Sequence, residues 1–486
     1  MAEQTKVKTL EKVVIRFSGD SGDGMQLTGT IFSNLSAVFG NEISTFPDYP
    51  AEVRAPQGTL SGVSGFQVHL GSRKIFTPGD KADVLVAMNP AALKVNVKHL
   101  KPNAIVLIDT DSFKKSDLDK ALFTTDDPFT ELGLTGVQVV AAPISTMVKD
   151  GLVEFGLDNK SALRCKNMFA LGLVCWLFER PLEEAMHMLQ NKFAKKPVIA
   201  QANIKALTDG YNYGNNIHAS VSTYRIESKK AEPGFYTDVN KATSYGLIAA
   251  AEKAGLQLFL GSYPITPATD ILHELSKRKD LGVITVQAED EIAGICTSIG
   301  ASFAGCLAAT STSGPGLALK SEAIGLAVIA ELPLVIIDVQ RGGPSTGLPT
   351  KSEQTDLMQA LYGRNGESPA VVIAASTPTD CFDAAFWAGK LAVEHMTPVI
   401  LLTDAFIANG SSAWRIPEMD KYPEIKPNYV ANYQDEKVWK AYRRNRESLV
   451  RYWAIPGTEG FAHRLGGLEK DYETSAISTD PANHQK

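Results

Sequence analysis

Apolar positions recur along this chain in two alternating rhythms. Short runs of consecutive or every-second apolar residues are followed by longer stretches in which apolar residues return every third or fourth position. The first rhythm suits strands and the second suits amphipathic helices. Their alternation predicts βα units built around parallel sheets. The expected fold class is therefore α/β, with two α/β domains.

In the first block the pattern predicts strands at 13–17, 83–88, 104–109 and 137–141, with helices at 25–39, 91–99, 163–177 and 182–193. Runs at 66–70 and 74–77, joined by Gly71-Ser72, suggest a hairpin. Residues 209–237 are rich in Gly, Asn and Tyr and contain Pro233-Gly234, which predicts a linker. The second block predicts strands at 257–260, 283–287, 306–310, 333–339, 370–374 and 398–403. Helices are expected between them at 241–254, 269–277, 291–303, 316–330 and 379–394. The domain boundaries expected are 1–208, a linker at 209–237, 238–420, and a mostly irregular extension at 421–486 with one charged helix near 435–453.

Composition narrows the function classes. The chain has 486 residues, 44% hydrophobic and 21% charged, with a net charge of −6. No basic stripe stands out, so nucleic-acid binding is not expected. Its five cysteines form no CxxC pair, which argues against a disulfide framework and against an iron–sulfur or zinc site within the chain. The polar start of the chain and the short apolar runs predict no signal segment, no membrane span and a cytoplasmic location.

The chemistry gathers in the second block. In open parallel sheets ligands bind beyond the carboxyl ends of the strands. Four polar turns follow successive predicted strands there. They are Gly261-Ser262-Tyr263-Pro264-Ile265-Thr266-Pro267, then Glu289-Asp290-Glu291, then Ser311-Thr312-Ser313-Gly314-Pro315-Gly316, then Gln340-Arg341-Gly342-Gly343-Pro344-Ser345-Thr346-Gly347. Each has a plain structural explanation. Prolines shape turns, Glu289 can favour a helix start, and the apolar positions Ile292, Ile295, Cys296, Ile299 and Phe303 read as a core stripe. Four such turns along one edge make a site.

Glu289 precedes Gly314 by 25 positions (314 − 289), and Thr312-Ser313-Gly314-Pro315-Gly316 closes that span. This arrangement resembles the pyrimidine-binding domain of thiamine diphosphate enzymes, a parallel sheet with helices on both faces. The resemblance implies that Glu289 hydrogen-bonds the aminopyrimidine and favours its imino tautomer. It also implies that Ser313, Gly314, Pro315 and Gly316 lie against the cofactor. A narrower likeness is carried by Tyr263-Pro264-Ile265-Thr266-Pro267 and by residues 287–366, which are similar to 2-oxoacid:ferredoxin oxidoreductases. That family implies that Tyr263, Thr266 and Arg341 bind the 2-oxoacid. A guanidinium suits the task, because its fork pairs a carboxylate bidentately.

The first block resembles the gamma subunit of the same family, through Asp48-Tyr49-Pro50-Ala51-Glu52-Val53-Arg54 and Gly58-Thr59-Leu60-Ser61-Gly62, here fused ahead of an alpha portion. Its loop Gly19-Asp20-Ser21-Gly22-Asp23-Gly24 has GxxGxG spacing rather than GxGxxG and reads as a tight turn opening a helix. The diphosphate half of a thiamine site and the cluster-binding cysteines belong, by resemblance, to a beta subunit. The resemblance thus implies thiamine diphosphate shared between subunits, with Mg2+ and a 4Fe-4S cluster on the partner. Coenzyme A is the expected cosubstrate and ferredoxin the acceptor, in an alpha–beta or alpha2beta2 assembly. The expected reaction is oxidative decarboxylation of a 2-oxoacid to acyl-CoA and CO2. 2-Oxoglutarate is favoured, with Lys351 or Arg364 as cations for its second carboxylate. A non-redox thiamine decarboxylase or synthase subunit, or a truncated binding subunit, is the alternative, since longer family members continue past residues 478–484 into another domain.

Overall fold

A computed structural model describes residues 7–50, 52, 55–217, 223–228, 235–236, 241–415, 417–430 and 438–486. The chain forms two compact units. One comprises Met1–Asp238 with Gly410–Ile416, the other Val239–Asn409 with Pro417–Lys486.

The first unit is built on strands β1 (Lys12–Asp20), β2 (Glu42–Asp48), β3 (Val63–Gly71), β4 (Ala82–Ala87), β5 (Leu100–Asp109) and β6 (Gln138–Ala142), in the order β2-β3-β1-β4-β5-β6. β1, β4, β5 and β6 run parallel, while β3 is antiparallel to both β1 and β2. Helices α1 (Met25–Val38), α2 (Lys166–Leu177) and α3 (Pro197–Ile217) share one core with the sheet, centred on Phe17, Phe32, Phe169 and Trp176.

Two expectations are corrected by this unit. The predicted hairpin does not form: β3 pairs with β1 and β2, and residues 74–77 are not a strand. Its real neighbour, β2, is a sheet-edge strand containing Pro47, a residue that demotes a run when read from sequence. The predicted linker is helical as far as Ile217, and Tyr224–Ile226 is a short strand beside Lys8–Leu10. The glycines that suggested a linker serve close packing instead. A Cβ at Gly210 would run into the Phe169 carbonyl, and one at Gly214 into the Trp176 ring. Parts of the predicted linker (218–222, 229–234 and 237) lie outside the described residues.

The second unit holds β7 (Leu258–Ser262), β8 (Ile284–Gln287), β9 (Leu307–Thr312), β10 (Leu334–Gln340), β11 (Val371–Ala374) and β12 (Pro398–Asp404). They form one all-parallel sheet in the order β8-β7-β9-β10-β12-β11. Its helices include α4 (Ala242–Ala254), α5 (Glu291–Phe303), α6 (Gly314–Leu319), α7 (Ser321–Ala330), α8 (Leu357–Tyr362) and α9 (Asp380–His395). Ala308, Ile336 and Ile400 meet Ile295 of α5 and Ile324 of α7 on one face. Gly389 of α9 approaches Leu307, which points to the other face by strand alternation. Both faces are therefore covered, as a parallel sheet requires.

Two further corrections concern helices. The single helix expected at 316–330 is two, α6 and α7, meeting at Lys320. The charged helix expected near 435–453 is absent from its described part, 438–453, which is turns and isolated bridges. Residues 450–454 are buried without a break, a pattern that extended chain satisfies and an amphipathic helix does not. Arg451 donates to the Glu331 carbonyl at 3.1 Å, which fastens this segment to the end of α7.

Candidate functional site

The ends of β8, β7, β9 and β10 lie side by side in that order, so the turns that follow them share one sheet edge. Register fixes this: Ser262 faces Gln287, and Thr312 faces Asp338. Ser262 also donates to the Ser311 carbonyl at 2.9 Å, tying the last residues of β7 and β9.

Arg341, only 7% exposed, leaves the end of β10 and reaches across to the turn after β7. Its Nη1 donates to the Thr266 carbonyl at 2.7 Å and its Nη2 to the Thr346 carbonyl at 3.1 Å. The guanidinium thus meets Thr266 through the backbone; the Thr266 side chain is exposed, as is Tyr263. Arg341 Nε is buried without a partner among the described residues, so the fork is only partly used. Burial pulls the Arg341 guanidinium below its ordinary value, and the Glu291 carboxylate pulls it back.

Ser313 opens α6, whose next residues are Gly314, Pro315 and Gly316. Its Oγ is fully buried with no hydrogen-bond partner among the described residues. A buried hydroxyl left unpaired is costly and marks a place where a ligand group can bond. Gly314 and Gly316 cannot be enlarged. A Cβ at Gly316 would press on Thr312 Oγ1 and on Glu291 Cγ, and one at Gly314 would lie 2.6 Å from Asp356 Oδ2.

The three acidic residues from Glu289 to Glu291, the first residue of α5, divide their work. Glu289 is exposed and makes no hydrogen bond or ion pair among the described residues. Asp290 caps the helix, its Oδ1 accepting from the Ala293 N–H at 2.8 Å. Glu291 turns toward Gly316, and its charge acts on Arg341. Its carbonyl accepts from Lys320 Nζ at 2.6 Å. Burial pulls the Lys320 ammonium down to about 8, against the opposing pull of Glu291 and Asp290.

The core stripe expected on α5 is also revised. Ile292 and Cys296 are exposed, and the buried face is Gly294, Ile295, Ser298, Ala301 and Ser302. The reason is close approach. Ser298 donates to the Ala309 carbonyl at 2.8 Å and accepts from the Gly261 N–H at 3.1 Å, so the helix lies tightly on β7 and β9. On that face Glu291 sits one turn before Ile295, a helical spacing that was available in the sequence once Asp290 is taken as the cap.

Arg364 does not serve as a free cation. Its Nε, Nη1 and Nη2 donate to the carbonyls of Ser368, Ala360 and Leu361 at 2.9, 2.7 and 2.9 Å, closing the end of α8.

In the first unit, a cavity of about 680 Å3 opens beside the 19–24 loop. Asp20 accepts from the Gly58 N–H at 2.9 Å, and Asp23 pairs with Lys166 at 2.9 Å. Burial, with Asp23 beside it, pushes the Asp20 carboxyl up. Lys160 and Arg164 line the same cavity. Ala51, Val53 and Arg54 lie outside the described residues. Among the described residues no helix is long and apolar enough to cross a membrane, and no group of three or more His, Cys, Asp or Glu could hold a metal ion.

Comparison with known proteins follows this division. Residues 249–480 match the thiamine diphosphate-binding family of pyruvate flavodoxin/ferredoxin oxidoreductases, and residues 14–213 match the pyruvate ferredoxin/flavodoxin oxidoreductase family. The chain is 52% identical to the 2-oxoglutarate oxidoreductase subunit KorA of Mycobacterium tuberculosis, over 98% of this chain and 72% of that protein. It is 27% identical to the 2-oxoacid:ferredoxin oxidoreductase subunit alpha of a Sulfolobus species, over 83% of this chain and 66% of that protein. Among solved structures, the 2-oxoglutarate:ferredoxin oxidoreductase of Magnetococcus marinus, with 2-oxoglutarate, coenzyme A and succinyl-CoA bound, superposes with a TM-score of 0.82. The two are 32% identical, over 98% of this chain and 77% of that one. With both blocks matched and a relative alike over nearly the whole chain, this protein belongs to the 2-oxoacid:ferredoxin oxidoreductase family.

Proposed function

We propose that the chain is the alpha-type subunit, with a gamma-like block, of a cytoplasmic 2-oxoglutarate:ferredoxin oxidoreductase. It joins the acyl group of the decarboxylated acid to coenzyme A, releases CO2 and passes the electrons to ferredoxin through a beta subunit. The observation that carries this reading is the bond from Arg341 to the Thr266 carbonyl, beside Glu291 and the unpartnered Ser313 hydroxyl.

The residues at this edge fit the aminopyrimidine half of thiamine diphosphate. The Glu291 side chain lies against the glycine turn, and the buried Ser313 hydroxyl that opens the turn lacks a partner among the described residues. When bound, the cofactor supplies the electron sink for decarboxylation. The chain's own groups orient and polarise. Glu291 is better placed than Glu289 to hold a ring proton, because it is the carboxylate turned toward the 313–316 turn. Arg341 keeps unspent donors for the substrate carboxylate while its other bonds hold two turns in place. Arg364 is set aside as the cation for the second carboxylate, since its guanidinium nitrogens are engaged by three carbonyls. Lys160 and Arg164 make the first-unit cavity a suitable seat for the phosphates of coenzyme A. Exposed apolar side chains such as Ile284, Ile292, Met358 and Tyr362 suit a partner carrying Mg2+, the diphosphate site and a 4Fe-4S cluster.

The test is co-expression with a cluster-loaded beta-type partner, followed by coenzyme A-dependent dye reduction. 2-Oxoglutarate should exceed pyruvate in kcat/KM by about tenfold or more, the effect of one charge-assisted contact. Pyruvate as the better substrate would reassign the acid. No turnover with any 2-oxoacid would remove the reading.

A further inference from the structure

Beneath the 313–316 turn lie two carboxyl groups that nothing above uses. Asp338 is on the central strand β10 and has no solvent exposure. Asp356 immediately precedes α8, and its N–H donates to Gln340 Oε1 at 3.0 Å. Both Asp338 oxygens and Asp356 Oδ2 are buried without a donor among the described residues. The two side chains are within hydrogen-bonding reach of each other. Carboxylates only accept, so two facing ones cannot bond unless one carries a proton. Only the like charge of Glu353 adds to their mutual repulsion, and no lysine or arginine offsets it among the described residues. Burial first, and then Asp356, holds the Asp338 carboxyl well above the usual range; burial also raises Asp356.

Asp356 bears directly on the turn. Its Oδ2 and Oδ1 stand 2.6 and 2.9 Å from where a Cβ on Gly314 would be. Gln359, one turn into α8, donates to the Gly314 carbonyl at 3.4 Å. The chain of contact therefore runs from β10 through Asp356 to Gly314, the residue after the unpartnered Ser313.

We propose that Asp338 and Asp356 share one proton, and that the protonated pair is the positioning element that seats the 313–316 turn. With the proton, Asp338 donates to Asp356 and draws it onto β10. Without it, two negative charges in a low-dielectric pocket repel, Asp356 is the more movable, and the turn shifts with it. The consequence for thiamine diphosphate rests on the functional reading above; the pair and its hold on the turn do not.

The test uses the full chain, alone and in complex with its partner, with Asp338→Asn as the conservative variant. The asparagine amide still donates to Asp356 but cannot titrate. Amide exchange is read at Gly316 and Leu317, whose N–H groups bond the Ser313 carbonyl at 2.8 and 3.0 Å. In the wild type, protection there should fall as pH rises, beyond the intrinsic base-catalysed trend and beyond that of neighbouring helices. In Asp338→Asn the excess fall should vanish while low-pH protection is kept. Thiamine diphosphate affinity of the complex, by calorimetry, should show the same split. Wild-type protection that follows the intrinsic trend alone overturns the shared proton, whether or not the variant folds. Equal alkaline loss in both proteins overturns the positioning role. Failure of thiamine diphosphate to bind at any pH, with the exchange pattern as expected, overturns the functional reading and leaves the pair standing.

Discussion

The ammonium of Lys320 is sealed from solvent and donates to the carbonyl of Glu291 at 2.6 Å. It thereby joins the break between α6 and α7 to the first residue of α5. These are the elements that carry the glycine turn and the best-placed acid.

A pH signature follows. Burial takes Lys320 from its ordinary 10.5 to about 8. Below that value it is charged in both folded and unfolded chains, and the folded state bears the whole desolvation cost. Between the two values the unfolded chain keeps the proton and the folded chain releases it, so stability rises with pH. The full span is at most ~3 kcal/mol. Lys320→Met should abolish this rise. The melting temperature of the wild type, measured against that of the variant, should therefore climb from pH 8 to pH 10.5. A constant gap across that window would mean the ammonium is well solvated.

Glu291 and Glu289 give a paired prediction. Glu291→Gln should lower kcat of the assembled enzyme by about 10²–10⁴, the range for a lost proton-handling group, with assembly intact by size exclusion. Glu289→Gln, on an exposed residue, should stay within about twofold of wild type, as surface changes away from a site do. The reverse pattern would return to Glu289 the role that the family resemblance implied.

That pair also shows what could be read from the sequence. The βα alternation placed most strands within a few residues, because parallel strands are buried on both faces and read as continuous apolar runs. The four turns at the edge were visible because Gly, Pro and paired acids interrupt those runs. Which acid faces inward was not, since it depends on where α5 begins. Two positions of the stripe expected on that helix, Ile292 and Cys296, are exposed, while the buried face is small and hydroxylated. The charged helix expected near 435–453 and the linker expected from 209 failed for related reasons, since burial in extended chain at 450–454 and close helix packing at 209–217 override local composition. Asp338 and Asp356 lie eighteen positions apart (356 − 338) on different elements, and no periodicity relates them.

The first-unit cavity yields a separate expectation. Arg164→Ala should raise KM for coenzyme A about tenfold, the loss of one charge-assisted phosphate contact, while KM for the 2-oxoacid stays unchanged. Equal changes in both constants would indicate a folding defect. No change would place coenzyme A elsewhere.

Arg341→Lys tests the guanidinium geometry directly. The arginine does two things at once. Its Nη1 and Nη2 hold the carbonyls of Thr266 and Thr346, and its Nε is left without a partner among the described residues. A lysine ammonium has comparable charge but a single donor centre, so it cannot hold both carbonyls at arginine's separation and still present a flat fork. If Arg341 binds the acid, KM for 2-oxoglutarate should rise about 10–100-fold, corresponding to ~1.5–3 kcal/mol for a charged hydrogen bond, with a smaller fall in kcat. Protease nicking near 342–348 should increase as well, because the Thr346 carbonyl loses its anchor. Faster nicking with unchanged KM would make Arg341 a brace for the two turns and leave the substrate carboxylate to another group.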